Sequence, residues 1–214
     1  CIIALLSEHN TPTPELREGQ RLSIQSVFRS DTDGFAVAAN HRSFSFPSDH
    51  GPHPQYRTEW WYYTGNLEDS DGRRFGFQLT FFRTALHPPD RDFERNSGWA
   101  TAQVYMSHFA LTDIEEGRFY AFERFSREGV GLAGATVRPF RVWLDDWSAE
   151  EQSEGAAGLG IAMRLQAEEE GVRIDLCLRS HKPAVLHGEK GLSKKGTGVE
   201  NASYYYSLTR LGTS

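Results

Sequence analysis

The chain has 214 residues, 38% hydrophobic and 24% charged, with a net charge of −6 and a pI near 5.8. That length buries one good core and is short for two full domains. An acidic balance without a basic stripe excludes a nucleic-acid binder, and no apolar run is long enough for a transmembrane helix.

Residues 1–20 read as a signal remnant or flexible arm. The apolar CIIALL is followed by polar SEHNTPTPE, which fits a processed targeting segment. A lipid-modified Cys1, the tail of a signal sequence and a fragment of a longer frame all fit. The expected location is periplasmic, cell-envelope or secreted, with membrane-surface association through the N-terminus. Residues 21–214 read as one β domain, with Phe28, Phe35 and Val37 anchoring its first segment.

The stretch from Phe46 to Leu67, FPSDHGPHPQYRTEWWYYTGNL, carries the densest chemistry. Pro47, Gly51, Pro52 and Pro54 make its first half a loop. Arg57 to Leu67 is aromatic and β-prone, so it reads as a strand. Alternation puts Glu59, Trp61 and Tyr63 on one face, and Thr58, Trp60, Tyr62 and Thr64 on the other. A buried carboxylate must be paired, bonded or protonated. If the face is only structural, Glu59 pairs with Arg57 or another arginine at a sheet end.

Asp69-Ser70-Asp71-Gly72 is a tight turn. After it, Phe75, Phe77, Leu79 and Phe81 alternate with polar or small residues, completing a hairpin. Arg83 to Ser97 reads as a long excursion of the kind that forms lids. Gly98 to Asp113 is a strand apolar on both faces, one for the core and one for a pocket; it carries Met106 and His108. Arg118 to Ser126 returns.

Thr136 to Trp147 supplies Phe140, Val142 and Leu144, and Ser148 to Gly158 reads as a solvated loop. Met163, Leu165 and Ala167 then alternate, as do Ile174, Leu176 and Leu178 beyond the turn EEEG. The Lys-rich, Gly-rich stretch 188–198 lacks phosphate-loop spacing. SYYYSLTR is a last strand. Short strands joined by turns, without an amphipathic helix, predict an all-β antiparallel barrel or sandwich. Cys1 and Cys177 give no disulfide framework.

The first candidate constellation is an acid beside an aromatic wall: Asp49, His50, His53, Glu59, Trp61 and Tyr63. A carboxyl in an apolar pocket has its pKa raised and can donate a proton. Aromatic faces stabilise a developing cation. His108, on an apolar strand face, is the second, and a core histidine is its plainer reading. A zinc site on His50 and His53 with His108 or His187 lacks a fourth ligand, and no cofactor is expected. No G-x-S-x-G supports a nucleophile elbow.

The motifs DHGPHPQYRTEWWYYTGNL, FGFQLTFFRTAL, YMSHFALTD, HGEKGLSKKG and NASYYYSLTR resemble the hydroxyneurosporene synthase family, the carotenoid 1,2-hydratase or AttH-domain group. The resemblance implies a pair of lipocalin-like β domains that take an apolar ligand, with this chain as the first. A second β domain of the same protein is then a partner.

The resulting expectation is acid-catalysed hydration of a carbon–carbon double bond in a lipid or isoprenoid. Asp49 or Glu59 gives the proton, His53 or His108 places the water, and His50, Trp60, Trp61, Tyr62, Tyr63, Met106, Tyr204 and Tyr206 contact substrate. A non-enzymatic lipid carrier with the same cavity is the alternative.

Overall fold

The computed structural model describes residues 2–4, 34–89, 102–152, 161–198 and 201–213. Expectations for Ser7 to Gln20, Phe28 and most of the excursion after Arg83 lie outside them. Among the described residues the regular structure is strand, apart from two short 3-10 turns at Ser48–His50 and Gly129–Gly131.

The strands are β1 (Ile2–Ala4), β2 (Thr58–Glu68), β3 (Arg74–Ala85), β4 (Gln103–Asp113), β5 (Arg118–Arg127), β6 (Ala133–Val137), β7 (Phe140–Leu144), β8 (Trp147–Glu151), β9 (Ala162–Glu169), β10 (Val172–Ser180), β11 (Val185–Leu186), β12 (Leu192–Lys194), β13 (Ala202–Ser207) and β14 (Leu211–Thr213). One antiparallel sheet runs β11-β13-β1-β2-β3-β4-β5, with β12 on β13; the other runs β14-β10-β9-β8-β7-β6. Between the described strands β5 and β6 no pairing closes the two sheets, so the lipocalin-like architecture is a sandwich rather than a sealed barrel.

Period-two alternation builds the core. Trp61, Tyr63, Phe77, Leu79, Phe81, Tyr105 and Phe109 of the first sheet meet Phe140, Val142, Leu144, Trp147, Met163 and Leu165 of the second. Each large side chain so buried contributes roughly 1.5–3 kcal/mol before entropy is counted. The hairpin turn at residue 170 is tight because Glu170 and Gly171 both adopt positive φ, 50° and 80°, the pattern a two-residue hairpin needs.

The structure corrects two sequence expectations, for the loop after residue 147 and for Val37, and refines two other stretches. Thr136 to Trp147 is not one strand: β6 and β7 pair as a hairpin on either side of Arg138-Pro139. Ser148 to Glu151 is not a solvated loop, because β8 pairs with β7 and β9 and buries Ser148 and Ala149. Stretch 188–198 contains β12. Val37 is exposed; the neighbouring Ala38 packs instead against Trp60, Leu192 and Tyr204.

Candidate functional site

The loop before β2 folds over one end of the sandwich and carries most of the site. Two features seat it. The Arg138 guanidinium donates to Ser48 Oγ at 3.1 Å. Gly51 approaches β6 so closely that a Cβ there would meet Val137 Cα at 2.9 Å, closer than real side chains pack. The Ser48–His50 turn then buries Asp49 and His50.

His53 is the centre. Its Nδ1 lies 2.6 Å from Glu59 Oε1 and its Nε2 lies 3.0 Å from Asp49 Oδ1. An ionised carboxylate only accepts, so both ring nitrogens are placed to donate, as those of an imidazolium do, with Arg42 Nη2 also 3.5 Å from Nε2. Burial alone would lower its pKa. The hydrogen bond and charge of Glu59, then the bond to Asp49, reverse that and raise it above 6.5.

Asp49 is also crowded with donors. Burial would raise its pKa; the backbone N–H of Ser45, His53 and the Arg42 guanidinium overcome this and lower it. Arg42 Nη1 donates to Asp49 Oδ1 at 2.6 Å. Its guanidinium carbon sits 4.6 Å from the Phe44 ring centre and 4.9 Å from that of Tyr204.

Glu59 is anchored from behind. Arg83 Nε donates to Glu59 Oε2 at 3.2 Å, and the His53 backbone N–H donates to the same oxygen at 2.9 Å. Arg83 Nη2 also donates to the carbonyls of His53 and Tyr56, at 2.9 and 2.8 Å. One buried arginine thus fixes the carboxylate and the loop backbone together.

His50 is different in kind. Tyr206 Oη donates to the Asp49 carbonyl at 3.0 Å, so its proton is committed. The 2.5 Å contact with His50 Nδ1 must then be a donation from the imidazole. Its Nε2 is buried without a partner, a setting that disfavours the charged ring. Desolvation lowers its pKa to about 4. Phe46 stacks on it at 4.7 Å.

The structure gathers Asp49, His50, His53, Glu59 and Tyr206, with Tyr204 bordering through Arg42. It does not bring in the others. Trp61 donates its indole N–H to the His50 carbonyl at 2.9 Å but is otherwise core. Tyr63 is core, with its hydroxyl on Met163 Sδ at 3.6 Å. Neither is an open pocket wall.

Trp60, Tyr62, Met106 and His108 fall on the outward face of the first sheet. His108 bonds Glu123 at 2.9 Å and helps line an open groove of about 690 Å³ that contains none of Asp49, His50, His53 or Glu59. The outward side of β4 does border a groove, as its double apolar pattern implied, but away from the acids. His187 bonds Ser207 at 2.6 Å, so the histidines proposed for zinc are not assembled. No group of metal-ligating residues occurs among the described residues.

Sequence reasoning missed Arg83 and Arg42. Arg83 continues the odd-numbered series Phe75, Phe77, Leu79, Phe81, so period two already placed it inward. The Pro, Asp and Arg that follow it assign Arg83 to the excursion 83–97 by composition, whereas β3 continues to Ala85.

The two antiparallel sheets, with a buried Asp49–His53–Glu59 cluster at one end, define an all-β, lipocalin-like sandwich. Within that class the chain belongs to the AttH-like family, whose profile matches residues 37–214. The crystal structure of a candidate AttH protein from Nitrosomonas europaea is similar, with TM-score 0.69 and 35% identity over 84% of this chain and 51% of that one. The chain thus spans about half the length of that relative. No curated protein matches it.

Proposed function

We propose that the protein is an AttH-type enzyme that hydrates a carbon–carbon double bond of an isoprenoid or other lipid, as the resemblance to carotenoid 1,2-hydratases implies. The observation that carries this reading is His53 held between two carboxylates and largely shut off from water, where it can carry a transferable proton. Glu59 loses the role of isolated acid, because both its oxygens accept from His53 or Arg83. It becomes a positioning residue.

The proton that leaves is the one on His53 Nε2, on the side of Arg42 and the rings of Phe44 and Tyr204. It adds to one alkene carbon and leaves a cation on the other. Water attacks that carbon and gives its own proton to Asp49, which returns it to His53. The aromatic rings shield the cation; their stacking on Arg42 is consistent with that use. A cell-envelope location and a second β unit in the same protein belong to the same proposal.

A lipid carrier is the second reading. It is favoured by the filled acceptors on Glu59 and by a groove that lies apart from the acids. His53→Gln in the full-length protein separates the two. An enzyme loses double-bond hydration by ~10²–10⁴-fold while still binding ligand. A carrier shows no turnover in the parent and unchanged binding in the variant. Full turnover in both His53→Gln and Asp49→Asn removes proton transfer from this cluster, and absence of hydration in the parent sinks the hydratase reading.

A further inference from the structure

We infer that the free edge of β5 is a self-pairing surface, through which a second copy of this chain adds antiparallel to extend the first sheet. Among the described residues β5 is paired only with β4 and ends its sheet. An edge this long, Arg118–Arg127, is a row of unused backbone donors and acceptors. It has no proline and no bulge in its register with β4, and only its charges, Arg118, Glu123, Arg124 and Arg127, guard it. Two of its phenylalanines face solvent, Phe119 at 69% exposure and Phe125 at 49%.

The strand's own sequence selects the partner. Two copies related by a two-fold axis through one continuous sheet pair residues that point to the same face, so directly opposite positions have the same parity. Two registers of that kind keep nearly the whole strand paired, centred on residue 122 or residue 123. The second places Glu123 against Glu123 of the other copy, which is repulsive.

The first places Phe119 opposite Phe125, Ala121 opposite Glu123, Tyr120 opposite Arg124 and Arg118 opposite Ser126, with Phe122 on the axis. No like charges stand directly opposite within the strand. The two exposed phenylalanines cover each other twice, once on each side of the axis. The two Glu123 side chains approach only diagonally, and each has a His108 partner at 2.9 Å in its own sheet. The register therefore uses what β5 exposes. It also sets the groove beside His108 and Glu123 against its counterpart in the second copy.

The pairing is modest in area, below the ~1,200–2,000 Å² of tight complexes, so a reversible dimer is expected. The test is sedimentation velocity on the full-length protein from about 1 to 500 µM, together with two substitutions at exposed Ala121. The mass should double with concentration. Ala121→Lys, set opposite Glu123 of the other copy, should tighten the dimer, and Ala121→Glu should weaken it, roughly two- to thirty-fold in each direction.

A monomer at every concentration overturns the proposal, as does an equal response to the two substitutions. A monomer whose β5 amides resist hydrogen exchange at all dilutions also overturns it, and assigns the edge to a segment of the same polypeptide instead.

Discussion

Arg83 Nε and Glu59 Oε2 meet at 3.2 Å, and neither side chain has any solvent-exposed surface. Removing one partner strands the other's charge in the interior. Arg83→Met or Glu59→Gln alone should cost about 3–5 kcal/mol in urea unfolding. The double variant Glu59→Gln/Arg83→Met should lose clearly less than the sum. Strict additivity would mean that the two charges do not support each other.

The two loop histidines should titrate on opposite sides of an ordinary histidine. NMR should place His50 at about 4 and His53 above 6.5. For His50 the folded value is the lower one. The unfolded chain therefore binds more protons between about pH 6.5 and 4, and stability falls with pH across that window by about 3 kcal/mol. For His53 the folded value is the higher one. Its contribution is complete below 6.5 and fades as pH rises through the folded pKa. A His50 signal moving near pH 6.5 would contradict its burial.

Asp49 and Glu59 should not be equal in their hold on His53. Glu59 contributes the larger upward influence, Asp49 the smaller. Glu59→Gln should lower the His53 pKa more than Asp49→Asn does. The reverse order would place the charge centre on the Arg42 side.

Tyr206→Phe removes the hydroxyl that accepts from His50 and donates to the Asp49 carbonyl. Two buried groups then lose partners, for about 1–3 kcal/mol of stability. Equilibrium unfolding measures it. A loss within error would show that neither group depends on the hydroxyl.

An apolar ligand should raise the melting temperature, since binding to the native state alone adds about 2.7 kcal/mol at a hundredfold excess over Kd. Phe44→Ser, at the edge of the ring array, should reduce that shift. No response to fatty acids, isoprenoids or carotenoids would count against both functional readings.

The sequence displayed the strands because they alternate. Phe75 to Phe81 and Met163 to Ala167 need only period two to be placed. It displayed Asp49, His53 and Glu59 because they crowd one loop and the strand after it. It hid the partners that decide their chemistry. Arg83 reaches Glu59 through strand pairing, since Glu59 and Arg83 are direct neighbours in the β2–β3 register. Tyr206 reaches the loop from β13, where tyrosine looked like ligand contact and proved to be a bridge. Trp61 and Tyr63 fitted either pocket or core by alternation, and only the second sheet pressing on them settles it.

Tyr206 and His50 are separated by 156 residues of chain. Contacts that distant are the slowest to form, because the entropy of closing the intervening loop must be met first. On the ribosome, β13 also emerges after every residue of the loop and of β2 and β3. Until it docks, His50 has no acceptor and the Asp49 carbonyl no donor, so the chemistry at residues 49–59 stays unassembled. Prematurely terminated chains should carry every acid and base of the cluster and still be inert.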